Sequence, residues 1–314
     1  MTSDSTTAIT TPDASTGDIR TMRSSGPGRR RGVDPVYYAF LLPVLILFTL
    51  CITLPAVIGI FFSLTNSIGF GEWEFIGVTN YVAVFSDPAI WASYGFTFGF
   101  AAVTVVLVNA ISLLLAVALV SRIRFKTALR TIFVIPMVIS GIVIAYVFKY
   151  LFSNSVPEFG AATGIGWLAE SILANPDLAW LAIVIVTAWQ GIPGTLLIYI
   201  AGLLAIPGDV YEAADIDGAG RRQRFFQITL PLVAGYIVIN VILGFKNYLN
   251  AYDIIVGLTD GGPGTATRSI AMTIVTGFTS GDYAYQMANA TIFFVIAVAI
   301  ALAQLRVTRG RSAL

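Results

Sequence analysis

Apolar residues run along this chain in six long stretches, at 37–63, 95–120, 131–148, 179–205, 230–245 and 286–305, none with an internal charge. A helix needs about 20 such residues to cross a hydrocarbon layer about 30 Å thick. The fifth stretch is short as an apolar run, but Lys246 at its end can snorkel and let the helix continue to about 251. A seventh segment, 269–279, is too short and too rich in Thr and Gly to span, and reads as an interfacial or re-entrant piece. The pattern predicts an all-α polytopic membrane protein with six transmembrane helices over 36–310, preceded by a tail over 1–35. That tail is Ser, Thr, Asp, Gly and Arg, so it cannot bury a core and should be disordered. It has no apolar segment of the kind that marks a cleaved signal peptide.

Charge orients the spans. Arg20, Arg23, Arg29, Arg30 and Arg31 precede the first; Arg122, Arg124, Lys126 and Arg130 follow the second. Arg221, Arg222 and Arg224 follow the fourth, and Arg306, Arg309 and Arg311 close the chain. Fifteen of the eighteen basic residues therefore lie on one alternating set of segments, with Arg268, Lys149 and Lys246 as the exceptions. Positive residues stay cytoplasmic, which predicts both termini inside and a location in a bacterial cytoplasmic (inner) membrane. Lys149 and Lys246 read as snorkelling side chains near the outer interface, and Asp253 and Asp260 as solvated residues of an outer loop. The arginines at 29–31 read as a topogenic stop, with contact to anionic lipid as the other reading.

Composition removes several functions. Hydrophobic residues are 57% and charged residues 11%, at a mean hydropathy of +0.84. A balance of 18 basic against 17 acidic residues gives no attraction to nucleic acid. There is no histidine, and Cys51 is the single cysteine, so metal and acid–base chemistry lack their usual groups and no internal disulfide can form. No phosphate-binding G-x-x-x-x-G-K-[ST] loop occurs. The chain reads as a transporter part rather than an enzyme, with no catalytic residue, metal or cofactor of its own.

One basic-side loop, 206–231, is too long and too patterned for a tether. Pro207 ends the fourth span, Asp209 suits an N-cap, and Val210, Tyr211, Ala214 and Ile216 can form one side of a short helix opposite Glu212, Asp215 and Asp217. Gly218 and Gly220 can stop that helix, and Pro231 suits the first turn of the fifth span. A short helix with a sticky side can dock in another protein's groove; lying flat on the membrane is the alternative.

Glu212-Ala213-Ala214, then Gly218, then Ile228-x-Leu230-Pro231 resembles the EAA loop of the membrane subunits of binding-protein-dependent ABC importers. Leu258-Thr259-Asp260-Gly261-Gly262-Pro263-Gly264 is similar to the outer GGP segment of the MalF-type subunits of carbohydrate and glycerol-3-phosphate importers. The resemblance covers roughly 36–310 and implies a MetI-like permease fold. It also implies that Glu212, Ala213, Ala214, Asp217 and Gly218, with Ile228, Leu230 and Pro231, couple the spans to an ATPase. ATP and Mg would then be used by that partner. The implied assembly has a second, non-identical EAA-type permease subunit, two copies of the ABC ATPase and an extracellular or periplasmic solute-binding protein, and it carries a sugar-like substrate across the lipid bilayer.

The substrate path should be lined by small and hydrogen-bonding residues at helical spacing. Thr187, Gln190, Gly191 and Gly194 make one such stripe in the fourth span; Asn240, Gly244, Asn247, Tyr248 and Ala251 make another in the fifth. Their donors and acceptors suit a neutral, hydroxyl-rich ligand. Helix–helix packing is the alternative reading of each residue. Pro193 is expected to kink the fourth span. The rival function is an ion-coupled secondary transporter of a small polar solute, against which stands the expectation that no ionisable residue lies near mid-membrane.

Overall fold

The computed structural model describes residues 35–121 and 126–309, whose regular structure is helical apart from one isolated bridge between Thr65 and Phe75. The tail expected over 1–35 lies outside the described residues except for Pro35, as do 122–125 and 310–314. The chain divides into two compact units, Met1–Leu54 and Pro55–Leu314. In the first, α1 (Pro35–Phe48) runs into a π-helical turn (Thr49–Thr53), and every side chain from Tyr37 to Leu54 is exposed. A helix apolar all round suits hydrocarbon or the flank of another span.

After α2 (Leu54–Phe62) come α3 (Thr79–Ser86), α4 (Pro88–Val120), α5 (Lys126–Val138), α6 (Gly141–Tyr150), α7 (Val156–Thr163) and α8 (Ala179–Leu204). Then follow α9 (Gly208–Ile216), α10 (Arg221–Arg224), α11 (Leu230–Leu232), α12 (Ala234–Leu249), α13 (Asp253–Thr259), α14 (Ile270–Thr279) and α15 (Tyr283–Arg309). Among the described residues four helical stretches are long and apolar enough to cross a membrane alone: Tyr37–Phe62, Pro88–Val120, Ala179–Leu204 and Tyr283–Arg306. They coincide with the first, second, fourth and sixth expected spans. The other two are broken. The third was expected as one helix over 131–148, but Ala128–Val138 and Gly141–Thr163 meet at 95°. Pro136 removes a backbone donor inside α5, and Ser140 is extended (ψ 137°), so the chain leaves the helix there and restarts at Gly141. The fifth is Arg221–Leu232 and Ala234–Leu249 bent by 64°, at Val233. Counting each bent pair as one span gives six.

Proline also explains the π-helical turns. Thr49–Thr53, Leu151–Ser155 and Phe225–Thr229 are each followed, two residues after they end, by a proline: Pro55, Pro157 and Pro231. A proline ring clashes with the carbonyl four residues back and offers it no N–H. Widening the preceding turn by one residue relieves that clash. Pro193, by contrast, sits inside α8 without ending it.

α8 is the centre of the second unit, and its pairing with α4 is the most extensive between helices. One end of α8 contributes Ile183, Val184 and Val186 to a core with Phe100, Val105 and Tyr248; the other contributes Leu196, Tyr199 and Leu203 to a core with Ala116, Leu119 and Val233. Ser and Thr join the buried face of α4 at 93, 97, 104 and 112. Ser112 Oγ donates to the Ile192 carbonyl at 3.2 Å, and the Tyr199 hydroxyl donates to Asn109 Oδ1 at 2.5 Å. Glycines on α8 admit two tyrosines of α12: a Cβ on Gly202 would run into the Tyr236 ring, and one on Gly191 into the Tyr248 hydroxyl.

Tyr199 is fully buried, so Tyr199→Phe removes the donor to Asn109 Oδ1 and leaves only the Asn109 Nδ2 bond to the Val105 carbonyl. We expect a loss of about 1 kcal/mol, the scale of a hydrogen bond between membrane helices. It should appear as a lower thermal unfolding midpoint in detergent, with Leu197→Phe on the exposed face as the unchanged control.

Candidate functional site

Two helix breaks meet beside the middle of α8. Gln190 lies about 16 Å along that helix at 1.5 Å per residue, whose 26 residues span about 39 Å. Its Nε2 donates to the Ile139 carbonyl, in the break between α5 and α6, at 3.0 Å. A Cβ on Gly141 would stand 3.5 Å from Gln190 Oε1 and 3.6 Å from the Asp253 Cβ, so α6 and α13 both start next to Gln190. The second break, 250–252 between α12 and α13, is held by Ser269, whose hydroxyl donates to the Ala251 carbonyl at 3.2 Å. The next residue, Ile270, donates its N–H to Thr97 Oγ1 at 2.9 Å. The start of α14 is thereby held beside the breaks.

One expectation is corrected here. Asp253 is not in a loop beyond the helices: it opens α13 at the level of mid-α8, with its side chain exposed. Lys246 stands in the last turn of α12, two residues before Tyr248, which reaches Gly191, and it lines a cavity of about 190 Å³ with Ala297, Ile300 and Gln304 of the second half of α15. The sequence reading let the fifth span run to about 251; α12 ends at Leu249, and a new helix starts at Asp253.

The two proposed stripes separate by burial. Thr187, Asn240 and Tyr248 are buried; Gln190, Gly191, Gly194, Gly244 and Ala251 are partly exposed, and Asn247 is exposed. Asn240 Nδ2 donates to the Thr195 carbonyl at 3.4 Å, tying α12 to α8. Thr187 Oγ1 is buried with no hydrogen-bond partner. Gly194 has open space where a Cβ would go, whereas a Cβ on Gly244 would touch Tyr248 and Val105 at 3.5 Å. The structure thus brings Gln190, Gly191 and Tyr248 together at the breaks and uses Asn240 between helices. Sequence reasoning missed Ser140, Asp253 and Ser269. The available signal was Pro136 followed by Ser-Gly at 140–141, a stop and a restart. Among the described residues no cluster of three or more His, Cys, Asp or Glu could hold a metal ion.

The 206–231 loop forms a second site. Pro207, not Asp209, is the N-cap of α9, and Asp209 falls in its first turn. Ala214 is buried, Val210 and Tyr211 are half-buried, while Glu212, Ala213 and Asp217 are exposed. Ile216 does not join the apolar side as expected but is 86% exposed, because two residues beyond Ala214 points to the opposite face of a helix. The inward face is pinned by the Tyr211 hydroxyl with Thr229 Oγ1 at 3.0 Å and by Arg224 with Asp215 at 2.5 Å. Gly218 ends α9 at φ +70°, its N–H bonded to the Asp215 carbonyl, while Ala219 N–H bonds to that of Ala214. This paired bond pattern satisfies the last carbonyls and needs a left-handed residue at Gly218. Ile228 and Leu230 are half-buried, and Pro231 is exposed.

Residues 109–308 match the family described as binding-protein-dependent transport system inner membrane component. The chain is 32% identical over 276 residues, 88% of this chain and 94% of the relative, to the probable starch degradation products transport system permease protein AmyD of Thermoanaerobacterium thermosulfurigenes. It is 35% identical over 276 residues, 87% and 94% of the two chains, to the trehalose/maltose transport system permease protein MalF of Thermococcus litoralis. Among solved structures it resembles a bacterial ABC transporter involved in the import of the acidic polysaccharide alginate, with a TM-score of 0.77 at 22% identity over 88% of this chain and 96% of that one.

If Gly191 is small to admit Tyr248, Gly191→Ala should lower the thermal midpoint, by the equivalent of about 1–3 kcal/mol for overpacking. Adding Tyr248→Phe should recover most of it. A double variant no better than the single would place the strain elsewhere.

Proposed function

The chain belongs to the binding-protein-dependent transport system inner membrane components, the permease subunits of ABC importers, and from that membership we propose that it carries a sugar or related polyol inward across a bacterial cytoplasmic membrane. It is a membrane transport subunit and not an enzyme, because ATP hydrolysis in this family belongs to a separate subunit. The observation that carries the choice of solute is that relatives over most of the chain's length are named as permeases for starch products, multiple sugars and trehalose or maltose.

The arrangement proposed is six spans within 36–310, each bent pair counted as one, with 1–35 as a disordered tail and both termini cytoplasmic. The distribution of basic residues supports that orientation. The exposed face of α9, carrying Glu212, Ala213, Ile216 and Asp217, supports docking onto an ATPase, with Gly218 setting where the helix ends. Two copies of that ATPase, using ATP and Mg, a second non-identical permease subunit and a solute-binding protein complete the assembly. The substrate passes the helix breaks, where Gln190, Asn247, Tyr248 and Asp253 offer donors, acceptors and an aromatic face to hydroxyl groups. Asp253 removes the sequence-based objection to an ion-coupled carrier, so the preference for ATP-driven import rests on family membership.

Purification from native membranes in mild detergent should bring down an ATPase and a second permease; a chain that comes alone while other complexes survive overturns the assembly. Glu212→Lys and Gly218→Asp should each reduce sugar uptake by tenfold or more while membrane insertion is unchanged. Normal uptake in both would remove the coupling role. Asp253→Asn and Asn247→Ala should reduce uptake without loss of the co-purifying ATPase, whereas loss of assembly would make them packing residues.

A further inference from the structure

Beside Tyr211 of α9 lies a cavity of about 580 Å³, between the ends of α4 and α8 and the segment 221–229. Its floor is apolar, formed by Val117 and Val120 at the end of α4, Leu203 at the end of α8, and Phe225. Its polar side carries Arg221 and Arg224, while the Thr229 hydroxyl is bonded to that of Tyr211 and Ser121 Oγ donates to the Ala118 carbonyl. Arg224 is already paired with Asp215, whereas Arg221 is exposed and enters no ion pair among the described residues.

We propose that this cavity binds one anionic phospholipid of the inner leaflet, its phosphate on Arg221 and an acyl chain along Val117 and Leu203. A soluble anion would have no use for the apolar floor, and a neutral lipid none for the arginines. Both features lie where two spans end, the depth at which a headgroup meets its tail, and basic pockets between helices on the cytoplasmic side hold anionic headgroups. The inference rests on the orientation proposed above. Its consequence is that the helix whose outer face meets the ATPase has its inner face resting on lipid, so bilayer charge would bear on coupling.

The test uses the intact assembly, reconstituted in nanodiscs of phosphatidylcholine with and without phosphatidylglycerol, with retained lipid counted by native mass spectrometry. The wild type should keep one phosphatidylglycerol per copy of this chain in preference to phosphatidylcholine. Arg221→Gln should retain about fivefold less, the factor for about 1 kcal/mol per basic residue at an anionic surface, and Arg221→Lys should restore it. Substrate-stimulated ATP hydrolysis should rise with phosphatidylglycerol in the wild type and respond less in Arg221→Gln. Equal retention by wild type and Arg221→Gln, equal retention of phosphatidylcholine, or displacement by excess inorganic phosphate would each overturn the lipid site. Absence of an ATPase from the assembly would instead overturn the importer arrangement while leaving the lipid count readable.

Discussion

A backbone carbonyl or N–H left unpaired in hydrocarbon costs several kcal/mol, so a chain this apolar can leave the helix only where side chains take over the lost bonds. Most of the described chain avoids the problem by staying helical. At the two breaks beside mid-α8 it meets the demand with a small set of groups: Gln190 on the Ile139 carbonyl, Ser269 on that of Ala251, and Thr97 on the Ile270 N–H. The remaining architecture follows from these bonds. Gln190 fixes where α6 and α13 begin, and Ser269 and Thr97 fix where α14 begins. The glycines of α8 then let α12 approach closely enough for Tyr248 to reach the same level. A polar residue near the breaks therefore cannot be read simply as substrate contact or as scaffold. Gln190 leaves its Oε1 facing Gly141 and Asp253 while its Nε2 is committed to the backbone.

The two sites are joined by one continuous segment. Tyr211 on α9 is bonded to Thr229, the last residue of the π-helical turn, and α11 and α12 follow directly. α12 carries Asn240, tied to α8, and ends at Tyr248 and Leu249 beside the breaks. A displacement of α9 thus acts on the base of α12 through a hydrogen bond and an ion pair rather than through a flexible linker. The π-helical turn sits at that joint for a local reason, the proline at 231, and the same device recurs before Pro55 and Pro157. Rigid segments with few hinges are what moving helices between two arrangements demands.

Much of this was legible in the chain. Charge placement and apolar runs gave the long helices because hydrocarbon tolerates little else. The end of α9 at Gly218 was legible because its left-handed backbone has a residue type that marks it. Apart from Pro136 and the Ser-Gly pair at 140–141, the breaks left no mark in hydropathy, for an equally physical reason. Hydropathy records what surrounds a residue, not the direction of its chain, so Ile139, Ser140 and Gly141 look alike in a straight and a broken helix. Asp253 was read into a loop for the same reason, since hydropathy does not show that a new helix, α13, starts there. Ile216 was assigned to the apolar side by composition, although helical spacing from Ala214 already excluded it. At Tyr248 and Gly191, polar and small residues at helical spacing marked a real meeting of two helices, but spacing alone could not separate packing from binding.

Asp253 bears on what such a site can carry. A carboxylate at mid-depth on a lipid-facing helix costs about 2.5–3.5 kcal/mol even by insertion scales. It is tolerated where it faces a water-filled cavity, and here it is exposed at the first turn of α13, where the helix's positive end favours it. In an ion-coupled carrier such a group would take up a proton or sodium and alternate in charge. A subunit driven by ATP has no need of that alternation. A carboxyl at the first turn of α13 then serves as a hydrogen-bonding group beside the Gln190 amide rather than as an ion carrier.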